Sequence, residues 1–110
     1  MSEKKSLNIG ILLASAYHAQ GDSEPQNFQS TLNIYDILIN QHKGDFQSLN
    51  QIKYNQALTL QHIGNDDKAL ETYYSVINIC TKTTPITEWT WYYKCGFTTI
   101  AMLEEMKNPN

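Results

Sequence analysis

Along most of this chain apolar residues recur at three- and four-residue spacing, while the alternation that marks a strand is short and scattered. The pattern predicts five helices. In the first, at 6–20, Leu7, Ile11, Ala14 and Tyr17–His18 trace one face, and Gly21 stops it. Ser23-Glu24-Pro25-Gln26 places a cap residue three positions before a glutamine, with proline in the first turn, and so starts helix 2 at 26–41. Lys43-Gly44 ends it. Asp45 caps helix 3, at 46–63, which buries Leu49, Ile52, the Lys53 stem, Ala57 and Leu60 and stops at Gly64. Asn65 or Asp66 restarts the chain into helix 4, at 66–81, with an acidic start that suits the helix dipole and a buried set of Ala69–Leu70, Tyr73, Val76–Ile77 and Cys80. Thr84-Pro85 opens helix 5, which runs to about Lys107 with Trp89, Tyr92–Tyr93, Gly96, Ile100 and Leu103 as its apolar face.

This pattern is written more than once. Residues 13–22 and 56–65 each form an amphipathic helix reaching a glycine turn, and Ala14/Ala57 and Gly21/Gly64 coincide at a separation of forty-three. The same step carries Ala57 to Ile100 and Leu60 to Leu103, so Ala14/Ala57/Ile100 and Tyr17/Leu60/Leu103 form apolar columns through three copies. Repeats of this length are expected to stack into an α-solenoid. Ala14, Ala57, Ala69 and Gly96 are small where helices must approach closely, and Tyr17, Tyr35 and Tyr73 fill the adjoining gaps.

Ala57, Gly64, Ala69 and Tyr73 are spaced as the small and aromatic signature positions of a tetratricopeptide repeat, and over 6–107 the chain resembles that family. In the first copy Leu13–Ala14, Tyr17 and Gly21–Asp22 also fit. The chain departs from the family at Lys53, Gln56 and Leu60, where tryptophan, leucine and tyrosine are usual, and at Thr81, where the closing proline is expected. A period of forty-three, against the usual ~34, resembles the longer-helix variants found in light chains of motor proteins and in bacterial regulators. The resemblance implies an all-α fold of antiparallel helix-turn-helix repeats forming a short right-handed α-solenoid of five helices. One domain spans 1–110: repeat one at 6–41, repeat two at 46–81, and a half repeat or capping helix at 85–107.

It also implies a role in binding a protein or peptide. In the family the first helix of each pair lines a concave groove, which here carries Asn8, Ile11, Ser15 and His18, then Gln51, Tyr54, Asn55, Leu58 and His62, then Lys94, Phe97 and Thr98. Amide and imidazole groups there can bond the backbone of an extended peptide, with Tyr54 and Phe97 for apolar contact. Asn55 matches an asparagine that bonds the ligand backbone in peptide-clamping members. The basic residues that grip a terminal carboxylate are missing beside it.

Trp89, Trp91, Tyr92 and Tyr93 form the densest aromatic cluster. Trp89 and Tyr92–Tyr93 can pack on helix 4, leaving Trp91 on another face, where an exposed indole is an interaction hot spot. Helix 5 lacks the second helix of its pair. Trp91, Met102 and Met106 are therefore candidates for an interface at that end, through which the chain could form a homodimer or serve as a scaffold segment of a longer array.

Charge and composition narrow the classes further. The 110 residues carry a net charge of −3, with eight basic and eleven acidic side chains and no run of either sign, which argues against nucleic acid and anionic lipid as partners. Lys4-Lys5, the apolar run at 7–13 and Ala14-Ser15-Ala16 imitate a secretory signal, but Asn8 interrupts the run and the repeat needs the segment as a helix. A cytoplasmic protein is expected, with secretion or the periplasm as the alternative. Cys80 and Cys95 fall at different heights of an antiparallel hairpin and read as reduced core thiols. No nucleophile motif, phosphate loop or metal spacing accompanies His18, His42 and His62, so neither catalysis nor a cofactor or metal is expected.

Overall fold

The structure, a computed structural model, describes residues 3–20 and 26–107, with side chains from Ile9 onward. Those residues form five α-helices and no strand: α1 (Glu3–Gln20), α2 (Gln26–Gln41), α3 (Phe46–His62), α4 (Asp66–Thr83) and α5 (Thr90–Lys107), with a 3-10 turn at Ile86–Glu88. Each helix packs chiefly on its chain neighbours, and the molecule is flat, 48 × 38 × 17 Å. The Gly21 stop, the Ser23–Pro25 start signal and Leu7 lie outside the residues or side chains described.

The breaks between helices are made by local chemistry. Asp45 accepts the Ser48 backbone N–H at 3.2 Å and the Ser48 hydroxyl at 2.6 Å, and these bonds hold its carboxyl below the usual range. At the other end of α3, Gly64 takes φ +85°, its N–H donates to Gln61 O, and Asn65 N–H donates to Leu60 O at 2.9 Å. That pair of bonds is a Schellman closure, which needs a residue free to adopt the left-handed region. Asn65 then caps α4 by accepting from Lys68 N–H. The fifth helix begins at Thr90, five residues later than Pro85 suggests, because Pro85 caps the 3-10 turn and the Trp89 indole donates back to Thr84 O at 2.8 Å.

One core cluster joins Ala57, Leu60, Ala69, Tyr73, Val76 and Cys80 with Cys95 and Met102 of α5; a second joins Ala14, Tyr35, Leu38 and Ile52. Both cysteines are buried free thiols, and burial pushes Cys95 up to about 12. Ala14, Ala57 and Ala69 are fully buried at helix contacts. Gly96 is not at a close approach, since a Cβ there meets nothing within 4 Å; the tight glycine is Gly10, whose Cβ would lie 2.6 Å from Leu38 Cδ2.

The apolar face expected on α5 is divided: Trp89 and Tyr92 pack against the core, and the remainder is turned outward. Tyr93, Ile100 and Leu103 are exposed, and Cys95, Thr99 and Met102 are buried instead. Met102, expected at an interface, is part of the core cluster. The forty-three-residue register explains the exchange. On α3, Ile52 packs with Tyr35 and Leu38, and Gln56 donates to Asp36, so this side meets α2. Asn50 and Lys53 donate to Cys80 and Ser75, so that side meets α4. Advanced by the repeat, the α2 side becomes Cys95 and Thr99, which are covered, and the α4 side becomes Tyr93 and Gly96, together with Ile100 from Ala57. No helix follows α5 among the described residues to cover this side.

Candidate peptide groove

Where α1 and α3 meet, a concave pocket of about 660 Å³ is lined by Ser15, His18 and Ala19 of α1, Asn55, Leu58, Gln61 and His62 of α3, and Tyr35 of α2. Two of its lining residues, His18 and His62, form an aromatic triad with Phe28. The His18 and His62 rings meet edge to face at 5.1 Å, and Phe28 of α2 lies 5.4 Å from His18 and 5.5 Å from His62. His18 Nδ1 is 3.0 Å from the buried Thr59 hydroxyl, which in turn donates to Asn55 O. The His18–Thr59 bond spans forty-one residues of sequence and fixes α1 against α3.

Around this triad the polar groups of α3 are held by α3 itself and by α4. Asn55 Nδ2 donates to Gln51 O at 3.0 Å, and Gln61 Oε1 accepts from the buried Tyr73 hydroxyl at 3.1 Å. Burial pushes Tyr35 up to about 12, so the pocket is floored by a neutral phenol. Among the described residues no group of three or more His, Cys, Asp or Glu side chains could hold a metal, and no helix is long and apolar enough to cross a membrane.

A second surface lies between α3 and α5. The Tyr54 ring is 6.0 Å from Tyr73 and 5.6 Å from Trp91, and Lys94 Nζ stands 4.8 Å over Trp91 and 5.9 Å over Tyr54. Trp91 is thus half-buried in an aromatic ladder capped by an ammonium, not a lone exposed indole.

The residues expected to line one groove are therefore divided. Ser15, His18, Asn55, Leu58 and His62 share the pocket, and Tyr54 and Lys94 belong to the ladder. Gln51 is half-buried and contributes its carbonyl to Asn55. Ile11 packs on the second core cluster, the Thr98 hydroxyl donates to Lys94 O, and the Asn8 side chain lies outside those described. Phe97 lines an apolar notch between α4 and α5 with Ile77, Tyr92, Tyr93, Gly96 and Ile100. Met106 borders a separate depression with Gly64, Asp66 and Glu105. Tyr35 was not expected at the pocket, nor Phe28 beside its histidines, since both sit on α2; the apolar spacing of α2 marks them as buried but not as lining anything.

No protein-family model, curated protein or solved structure matches the chain.

Proposed function

We propose that the chain is a non-catalytic protein-binding module of stacked helix-turn-helix repeats, and that the pocket between α1 and α3 takes an extended segment of a partner. The observation that carries this reading is the lining. Imidazole and amide groups from two helices surround Leu58 and a neutral phenol, which suits a peptide backbone with an apolar side chain between its polar groups. Lys53, the one basic side chain on the middle of α3, is turned to Ser75 of α4 and half-buried, so the pocket offers no ammonium from that helix to a terminal carboxylate. An internal stretch of chain is the better fit. The two buried free thiols suit a reducing compartment such as the cytoplasm.

Selection of displayed peptides on the immobilised chain tests the proposal. Enriched peptides are expected to lose binding to Ser15→Trp, which fills the pocket from an exposed position, and to weaken several-fold on Asn55→Ala. If no peptide is enriched, or if enriched peptides bind Ser15→Trp as well as the parent, the groove is not the binding site.

A further inference from the structure

We infer that the pocket between α1 and α3 recognises a carboxamide side chain, that of a glutamine or asparagine in the bound segment, and that the Tyr35 hydroxyl is its specificity-determining contact. This rests on the proposed groove and names what the groove reads. Tyr35 is 3% exposed and lines the pocket from α2, yet no hydrogen bond among the described residues uses its hydroxyl. The sealed, unpaired polar atoms of the core are His42 Nε2, Asn50 Oδ1 and Thr99 Oγ1. The Tyr35 oxygen is not one of them, so it is reached from the cavity. Buried hydroxyls are normally bonded, and one left open onto a pocket finds its partner in what enters.

Two amides of α3 complete the set. Gln61 Oε1 is taken by the Tyr73 hydroxyl, which leaves Nε2 as a donor; Asn55 Nδ2 is taken by Gln51 O, which leaves Oδ1 as an acceptor. Neither remaining atom has a partner among the described residues. A carboxamide matches all three groups: its oxygen can accept from the Tyr35 hydroxyl and from Gln61 Nε2–H, and its NH₂ can donate to Asn55 Oδ1. Leu58 beside them takes the methylene stem. The competing side chains fit less well. An aliphatic one buries the phenol with nothing to bond. A carboxylate offers acceptors alone to the Asn55 oxygen, and no ammonium or guanidinium lines the pocket to offset its lost hydration. The phenol itself stays neutral and so keeps the proton it donates.

Peptides selected by display on the whole chain, then measured singly by fluorescence anisotropy, test this. Enriched sequences are expected to share a glutamine or asparagine, and its exchange for methionine or for glutamate should weaken binding about tenfold. Tyr35→Phe removes only the hydroxyl. Against that variant the carboxamide peptide should weaken several-fold while its methionine form binds as it does to the parent. Because the hydroxyl bonds nothing in the free chain, Tyr35→Phe is also expected to melt no lower than the parent; a lower melting temperature means that the fold uses the hydroxyl, and overturns the inference. Enriched peptides with no shared carboxamide, or a carboxamide preference that survives Tyr35→Phe unchanged, overturn it and leave the groove in place. Glutamate bound as tightly as glutamine overturns it in favour of an anion. If no peptide is enriched, the groove and the inference fall together.

Discussion

Asn50 is 1% exposed, and its amide is only half used: Nδ2 donates to the Cys80 thiol at 3.3 Å, while Oδ1 has no hydrogen-bond partner among the described residues. Replacing it with leucine removes both groups and keeps the same side-chain branching. An orphaned buried carbonyl costs about 1–3 kcal/mol, whereas the bond to sulfur, a weak acceptor, contributes at most about 0.5–1.5 kcal/mol. Leucine also favours the helix by about 0.5 kcal/mol. Against these gains, two methyl groups are bulkier than an amide, and tight packing beside Cys80 costs about 1 kcal/mol. The balance predicts that Asn50→Leu stabilises the fold by about 1 kcal/mol, a rise of about 4–8 °C in Tm for a domain of this size. Urea denaturation followed by circular dichroism measures the change, and Asn50→Ala serves as the control, expected to be destabilised by the space it leaves. If Asn50→Leu is less stable than the parent by 1 kcal/mol or so, the amide is better satisfied than its contacts indicate and the reasoning fails.

Glycine positions should separate cleanly. Gly96→Ala meets no atom within 4 Å and is expected to stabilise α5 by about 0.5–1 kcal/mol, whereas Gly64→Ala forces a side chain into φ +85° and should cost about 1–2 kcal/mol; thermal melts compare the two. Asp45→Ala removes the α3 cap and should cost about 1 kcal/mol in urea titration. Stability should also fall in alkali. Burial pushes Cys95 and Tyr35 each up to about 12 and raises Cys80 and Tyr73, while the unfolded chain releases its thiol protons near 9 and its phenol protons near 10. The native state then binds more protons than the unfolded one, so the contribution is whole below about pH 9 and is lost as pH rises toward about 12. A urea midpoint that stays constant from pH 7.5 to 10.5 contradicts this. Both thiols should react with a chromogenic disulfide only at the rate of unfolding, a rate that urea accelerates.

The all-helical architecture and the breaks at Asp45 and at Gly64–Asn65 could be read from residues close in sequence. Asp45 with Ser48, Asn65 with Lys68, and Gly64 with its two closing bonds act within a few positions, so residue type alone announces them. The buried sides of α3 and α4 were equally readable, because each helix is flanked by two others and any apolar stripe finds a cover. Pro85 misplaced the start of α5 because a bond from the Trp89 indole to the Thr84 carbonyl organises that turn, and no periodicity encodes it. The pocket was readable in half. Ser15, His18, Asn55, Leu58 and His62 are among the residues that the family resemblance puts on a concave side, but Tyr35 arrives from α2 through its packing angle, which sequence spacing does not set.

The sequence by itself determined the ends of α3, the start of α4 and which residues share a side, since capping hydrogen bonds and the 3.6-residue turn are local. Tertiary structure decided which side is covered. Cys95, Thr99 and Met102 became core, and Tyr93, Ile100 and Leu103 became surface, because α3 and α4 lie against one side of α5 and no described helix lies against the other. An apolar side chain records only that it can be buried; whether it is depends on a neighbour many residues away.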